Sequence, residues 1–181
     1  MVVAASASTA LVRVRVEGKT QTIFGATQPR ALASTALGAL EAASIGGEFY
    51  YHLQDTGFGP YVDQVGRYPG SGSSGWVFKV NGASPPVGAD KVSLVAGDVV
   101  LWYWATFTAA GGPATLDLAR EKNGCYRVVA RDDAGNVVPA DAHLHVDGRT
   151  VPMRDGRACP GPHRSLVRAT APSTVRSNAI P

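Results

Sequence analysis

Leu11 to Val16 reads Leu-Val-Arg-Val-Arg-Val, apolar and basic residues alternating with the period of two that a half-buried strand imposes. Glu17, Gly18 and Lys19 supply a turn, and Thr20 to Phe24 return as a second strand. After Pro29 the period changes: Leu32, Ala36, Leu37, Leu40 and Ala43 form one stripe and predict a helix over Arg30 to Ser44, stopped by Gly46-Gly47. Glu48 to Leu53 and Tyr61 to Arg67 read as strands around the Gly57 and Gly59 loop, and Trp76 to Val80 as another. Val99 to Phe107 carries the strongest strand signal. Period two places Val100, Trp102 and Trp104 on one face and Val99, Leu101 and Tyr103 on the other; both faces are apolar, which predicts a central strand.

Ala109 to Pro113 is small, flexible and coreless, and the pattern changes beyond it. Leu116 to Ala119, Tyr126 to Arg131, His143 to Val146, Arg149 to Met153 and Leu166 to Ala169 are short strands separated by turn clusters, among them the two-residue hairpin turn Asp147-Gly148. Such spacing predicts a small β-sandwich. The chain therefore divides into a tail or signal remnant (1–10), an α+β domain with one helix covering a sheet (11–108), a linker (109–113) and a sandwich (114–181), mainly β throughout.

Charge alters this picture little. Residues 1–111 hold 7 basic and 7 acidic side chains and residues 112–181 hold 10 and 7, so the net +3 lies in the second part, with its arginines dispersed along strands. That dispersion, without a finger or homeodomain signature, argues against nucleic acid as a partner. No run reaches the 18 or so apolar residues of a membrane span. Cys125 and Cys159 are the two cysteines; outside any Cys-x-x-Cys pair, they predict a disulfide rather than two reduced thiols. Ala-Ser-Ala near the start fits the end of a secretory signal as well as a plain tail, and with the disulfide it places the chain outside the cytoplasm, secreted or at the cell surface.

Candidate chemistry is sparse. Gly70 to Gly75 matches Gly-x-Gly-x-x-Gly, but the fingerprint needs a helix after it to face a pyrophosphate, and here a strand follows, so a hairpin loop is expected. His143 and His145 share one strand face, two potential metal ligands that read equally as an exposed polar face; His52 and His163 have no partner in sequence. No Gly-x-Ser-x-Gly elbow or separated carboxylate pair is visible, and neither an enzyme nor a bound cofactor is expected. The aromatic set of Tyr50, Tyr51, Phe58, Tyr61, Trp76, Phe78, Trp102, Tyr103 and Trp104 supplies core, and any members left on an open face would form a platform for a planar ligand or a sugar.

Gly75-Trp76-x-x-x-Val80-Asn81-Gly82, Val87-Gly88 and Gly97-Asp98-x-Val100-x-Trp102 resemble the bacterial relatives of the C-terminal domain of transcobalamin, over about Leu11 to Phe107. The resemblance implies a β-grasp-like fold and, in its animal members, a β domain closing over one side of cobalamin while a helical barrel supplies the other. No barrel is present in this chain, so cobalamin would be held weakly without a partner. Val167-Arg168-Ala169-Thr170 and Val175-Arg176-Ser177-Asn178 resemble the last strands of bacterial immunoglobulin-like surface domains. The expected function is a non-catalytic extracytoplasmic module for surface display or contact with another surface protein or ligand. The alternative is a small-molecule binder, for a corrinoid or carbohydrate, using Trp76, Phe78, Trp102 and Trp104.

Overall fold

The computed structural model describes residues 8–57 and 59–181; Phe58 and most of the expected N-terminal tail lie outside the described residues, and Ala10 already begins the first strand. The first half contains β1 (Ala10–Glu17), β2 (Thr22–Phe24), β3 (Arg30–Ala33), α1 (Ala36–Gly47), β4 (Tyr51–Thr56), β5 (Gly59–Val65), β6 (Tyr68–Pro69), β7 (Ser74–Val80) and β8 (Val99–Thr106). The main sheet runs β2-β1-β8-β7, with β3 also paired to β1; β1 and β8 are parallel, and β4-β5-β6 form a separate sheet. As both of its apolar faces require, β8 is central.

The helix is shorter at its start than its apolar stripe predicts. Arg30–Ala33 pairs with β1 as an antiparallel strand, because Leu32 and its neighbours complete that edge before Thr35 takes the N-cap, its hydroxyl accepting from Gly38 N at 3.0 Å. The end also moves. Gly46 and Gly47 are inside the helix and Glu48 adopts the left-handed cap conformation, φ 52°. α1 buries Ala36, Ala39, Leu40 and Ala43 against Val12, Val14, Val16, Val100 and Trp102 on one face of the main sheet.

The second half contains β9 (Ala114–Arg120), β10 (Tyr126–Arg131), β11 (Val137–Val138), β12 (His143–Val146), β13 (Arg149–Pro152), β14 (Arg157–Ala158), β15 (Val167–Thr170), β16 (Thr174–Val175) and β17 (Ala179–Ile180). One sheet runs β11-β10-β9-β16 with β14 on β10, the other β13-β12-β15-β17. Inward positions of the two, Leu116, Leu118, Tyr126 and Val128 against Leu144, Val146, Val167 and Ala169, make one core. Asp147-Gly148 joins β12 to β13 with both residues at positive φ, as a tight hairpin turn requires. The disulfide is formed: Cys125, just before β10, is bonded to Cys159, just after β14, with an S–S distance of 2.03 Å. The molecule is thus mainly β with several sheets, and among the described residues no helix is long and apolar enough to cross a membrane.

The face of the main sheet turned away from α1 is covered too. Leu101, Tyr103 and Ala105 of β8 bury themselves against Val175 of β16, and the second half closes over them. The 109–113 segment is itself tied down, with Gly112 N donating to the Asp133 carboxylate at 3.1 Å.

Candidate functional site

Trp76, Phe78, Trp102 and Trp104 lie on neighbouring strands, Trp76 opposite Trp104 and Phe78 opposite Trp102 across the β7–β8 ladder. Their side chains point to the helix side of the sheet, where Trp76 is 1% and Trp102 2% exposed. Buried indole N–H groups need acceptors. Trp102 donates to the carbonyl of Ala36 at 3.0 Å, at the start of the helix, and Trp76 to the carbonyl of Tyr68 at 2.8 Å. Phe78 stacks on Trp102 with centroids 5.1 Å apart, whereas Trp104 meets Trp76 edge-on at 5.9 Å. Trp104 Nε1 is buried and has no protein partner.

These four residues divide between two cavities. Trp76, Phe78 and Trp102 line a cleft of about 310 Å3 walled by Tyr61, Pro85, Tyr103 and Phe107, with Asp133 at its rim. Trp104 lines a different cavity, of about 370 Å3, between the hairpin residues Gly18 and Lys19 and the Ser173–Arg176 segment of the second half. A wider depression of about 640 Å3 lies beside the disulfide and is lined by Arg120, His163 and Arg164.

Between the halves lies a cluster of buried charge that sequence reasoning missed. Glu17, 1% exposed, accepts from the Thr22 hydroxyl at 3.1 Å, from Arg176 Nε and Nη2 at 3.1 and 3.0 Å, from Arg168 Nη2, and from Arg15 Nη1 at 3.4 Å. Arg15 is wholly buried and also donates to the carbonyls of Arg176 at 2.5 Å and Leu116 at 3.4 Å. Burial pushes its pKa down, and the Glu17 carboxylate opposes that shift. Across the sheet Lys79 Nζ donates to the Thr115 hydroxyl at 3.2 Å and to the carbonyls of Arg131 and Asp132 at 3.0 and 2.5 Å. Its pKa is likewise lowered by burial, with Asp133 acting the other way. The Tyr103 hydroxyl donates to Asp133 at 3.3 Å, and burial raises its pKa. A charged residue at every second position of β1 reads as a solvated face, and Arg13 indeed is exposed; the available signal was the apolar second face of β8, which had to be covered by something.

The histidines are dispersed. His52 Nδ1 is 2.7 Å from Asp63 on the exposed face of the small β4–β6 sheet. His145 bonds the hydroxyls of Thr170 and Thr150 at 2.7 and 3.3 Å, His143 is exposed beside it, and His163 Nε2 meets the Tyr126 hydroxyl at 2.8 Å. Among the described residues no three His, Cys, Asp or Glu side chains are grouped as metal ligands. Gly70 to Gly75 forms the tight turn into β7, with Ser71 and Ser74 exchanging backbone hydrogen bonds at 2.9 Å, and a strand follows it.

The fold and these sites define a disulfide-bonded, mainly β protein whose central sheet is covered on both faces and whose cavities lie at its rims and seams. Residues 33–106 match a family model described as a domain of unknown function (DUF4430), a region from the end of β3 to the end of β8 that contains all four aromatic candidates and omits β1 with Arg15 and Glu17. No curated protein matches the chain.

Proposed function

We propose that this protein is a non-catalytic extracytoplasmic module, secreted or at the cell surface, used for surface display or for contact with a protein or ligand. In this reading its first half is a transcobalamin-like β-grasp domain and its second an immunoglobulin-like one. The observation that carries it is the covering of the main sheet on both faces. With Trp76 and Trp102 under the helix and Leu101 and Tyr103 under the second half, the described residues leave no open aromatic platform on either face of the main sheet to receive a corrin. The Cys125–Cys159 disulfide supports an oxidising compartment.

A second reading, a small-molecule binder, draws support from the cleft that Trp76, Phe78 and Trp102 share. At about 310 Å3 it is near the lower end of ligand sites and takes a compact apolar group, not a corrin macrocycle. Titration of the oxidised protein with hydroxocobalamin, followed by tryptophan fluorescence against a dye of matched absorbance, separates the contact module from a corrinoid binder. A corrected signal that stays flat to about millimolar ligand supports the contact module. Saturable quenching confirmed by calorimetry overturns it in favour of a corrinoid binder.

A further inference from the structure

Trp104 is the aromatic candidate that stands apart from the 310 Å3 cleft, and the seam cavity it lines has a consistent chemistry. Its charged members are Lys19 and Arg176, and no carboxylate lines it. Lys19 is exposed and makes no ion pair with the described residues, while Arg176 gives Nε and Nη2 to Glu17 and the Gly18 carbonyl and keeps Nη1. The positive excess extends inwards, where three guanidinium groups share the carboxylate of Glu17 and Asp117 stands 3.9 Å from one of them, Arg15. Trp104 lends the wall an aromatic surface, its Nε1 being itself buried and without a protein partner. The hydroxyls of Thr106, Ser173 and Thr174 complete the lining.

We propose that this seam cavity is a binding site for an anionic saccharide, a sugar bearing a carboxylate or phosphate, which Lys19 and Arg176 hold by its charge and Trp104 and the hydroxyls hold by its ring. Each feature selects part of that chemistry. Two cations without a carboxylate favour an anion and reject a cation. The Ser173 hydroxyl can donate and accept, Thr174 Oγ1, which donates to the Ala171 carbonyl at 3.0 Å, can still accept, and the indole offers an apolar surface to a sugar ring. A volume of about 370 Å3 accommodates a small ligand of one or two rings rather than a folded partner. The site needs both halves, since the hairpin and Trp104 come from the first and Ser173 to Arg176 from the second.

Calorimetric titration of the whole oxidised protein tests this with four probes: a glucuronate-containing tetrasaccharide, glucose 6-phosphate, fully N-acetylated and therefore neutral chitotetraose, and inorganic phosphate. Saturable binding of the tetrasaccharide or of the sugar phosphate is expected, whichever binds identifying the anionic group. Affinity should fall with ionic strength and drop at least about tenfold in Lys19→Ala and in Trp104→Leu, which removes the aromatic surface. Lys91→Ala, an exposed lysine outside the cavity, should leave it unchanged. Thermal unfolding of each variant establishes that it is folded. Equal affinity for chitotetraose, equal affinity for inorganic phosphate, an undiminished Lys19→Ala, or no binding of either anionic sugar at millimolar concentration overturns the proposal.

Discussion

Glu17 is the residue on which the charged seam converges. Replacing one partner of a buried ion pair leaves the other charge uncompensated, which costs about 3–5 kcal/mol, far more than a surface pair is worth. Glu17→Gln keeps the shape and removes the charge, so urea denaturation should show a loss of that order; a loss below about 1 kcal/mol would mean that solvent already screens the cluster. Asp147 acts at the surface and through pH. Its carboxylate is held below the usual aspartate range by the Ser165 side chain first, then by the backbone N–H groups of Ser165 and Arg164. Because the folded form binds protons less readily than the unfolded one, Asp147 contributes its full stabilisation above the ordinary aspartate pKa of about 3.9, and the contribution is lost as pH falls through the lower folded value. The urea midpoint should decline more shallowly below about pH 4 in Asp147→Asn than in the parent chain, and identical profiles would show that Asp147 does not contribute to the acid response.

At the scale of elements, the boundary of α1 shows what a periodic pattern can and cannot specify. Leu32 belongs to the helical stripe by spacing, yet Arg30–Ala33 pairs with β1, since a four-residue register against a neighbouring strand is a tertiary choice that the local period does not encode. The strands with alternating or aromatic runs, β1, β7, β8, β10 and β12, were legible for the opposite reason: each carries its own pattern over four or more residues. The two-residue strands β6, β11, β14, β16 and β17 have none and exist by pairing alone. The helix end yields a paired prediction. A Cβ at Gly46 would stand 3.5 Å from Phe24, ordinary contact, so Gly46→Ala should stabilise by about 0.5–1 kcal/mol through propensity. A Cβ at Gly47 would stand 2.7 Å from Phe24 Cδ2, so Gly47→Ala should destabilise despite the same propensity gain. Thermal melts of the two variants moving in the same direction would contradict the packing of Phe24 against this turn.

For the whole molecule, the linker at 109–113 marks a change of pattern more than a mechanical division. Leu101, Tyr103 and Ala105 share a core with Val175, Lys79 reaches the carbonyls of Arg131 and Asp132, and Ala179 N bonds the Ala26 carbonyl at 2.7 Å, so each half completes the other. None of this was legible locally, because Arg15, Glu17 and Lys79 look like solvated residues until the opposing half is placed over them; the aromatic candidates were legible as a group, but their division between two cavities depends on which rim each strand faces. The two halves are therefore expected to unfold as one cooperative unit through this seam. The three tryptophans all lie in the first half and the disulfide in the second, so denaturation of the Cys125→Ser/Cys159→Ser chain followed by tryptophan fluorescence tests it directly. Opening a loop of this length removes roughly 3–4 kcal/mol in the chain-entropy model. A coupled molecule shows that loss in the tryptophan transition itself, with its midpoint moving down accordingly, whereas an unchanged tryptophan midpoint beside a destabilised second half would contradict the claim.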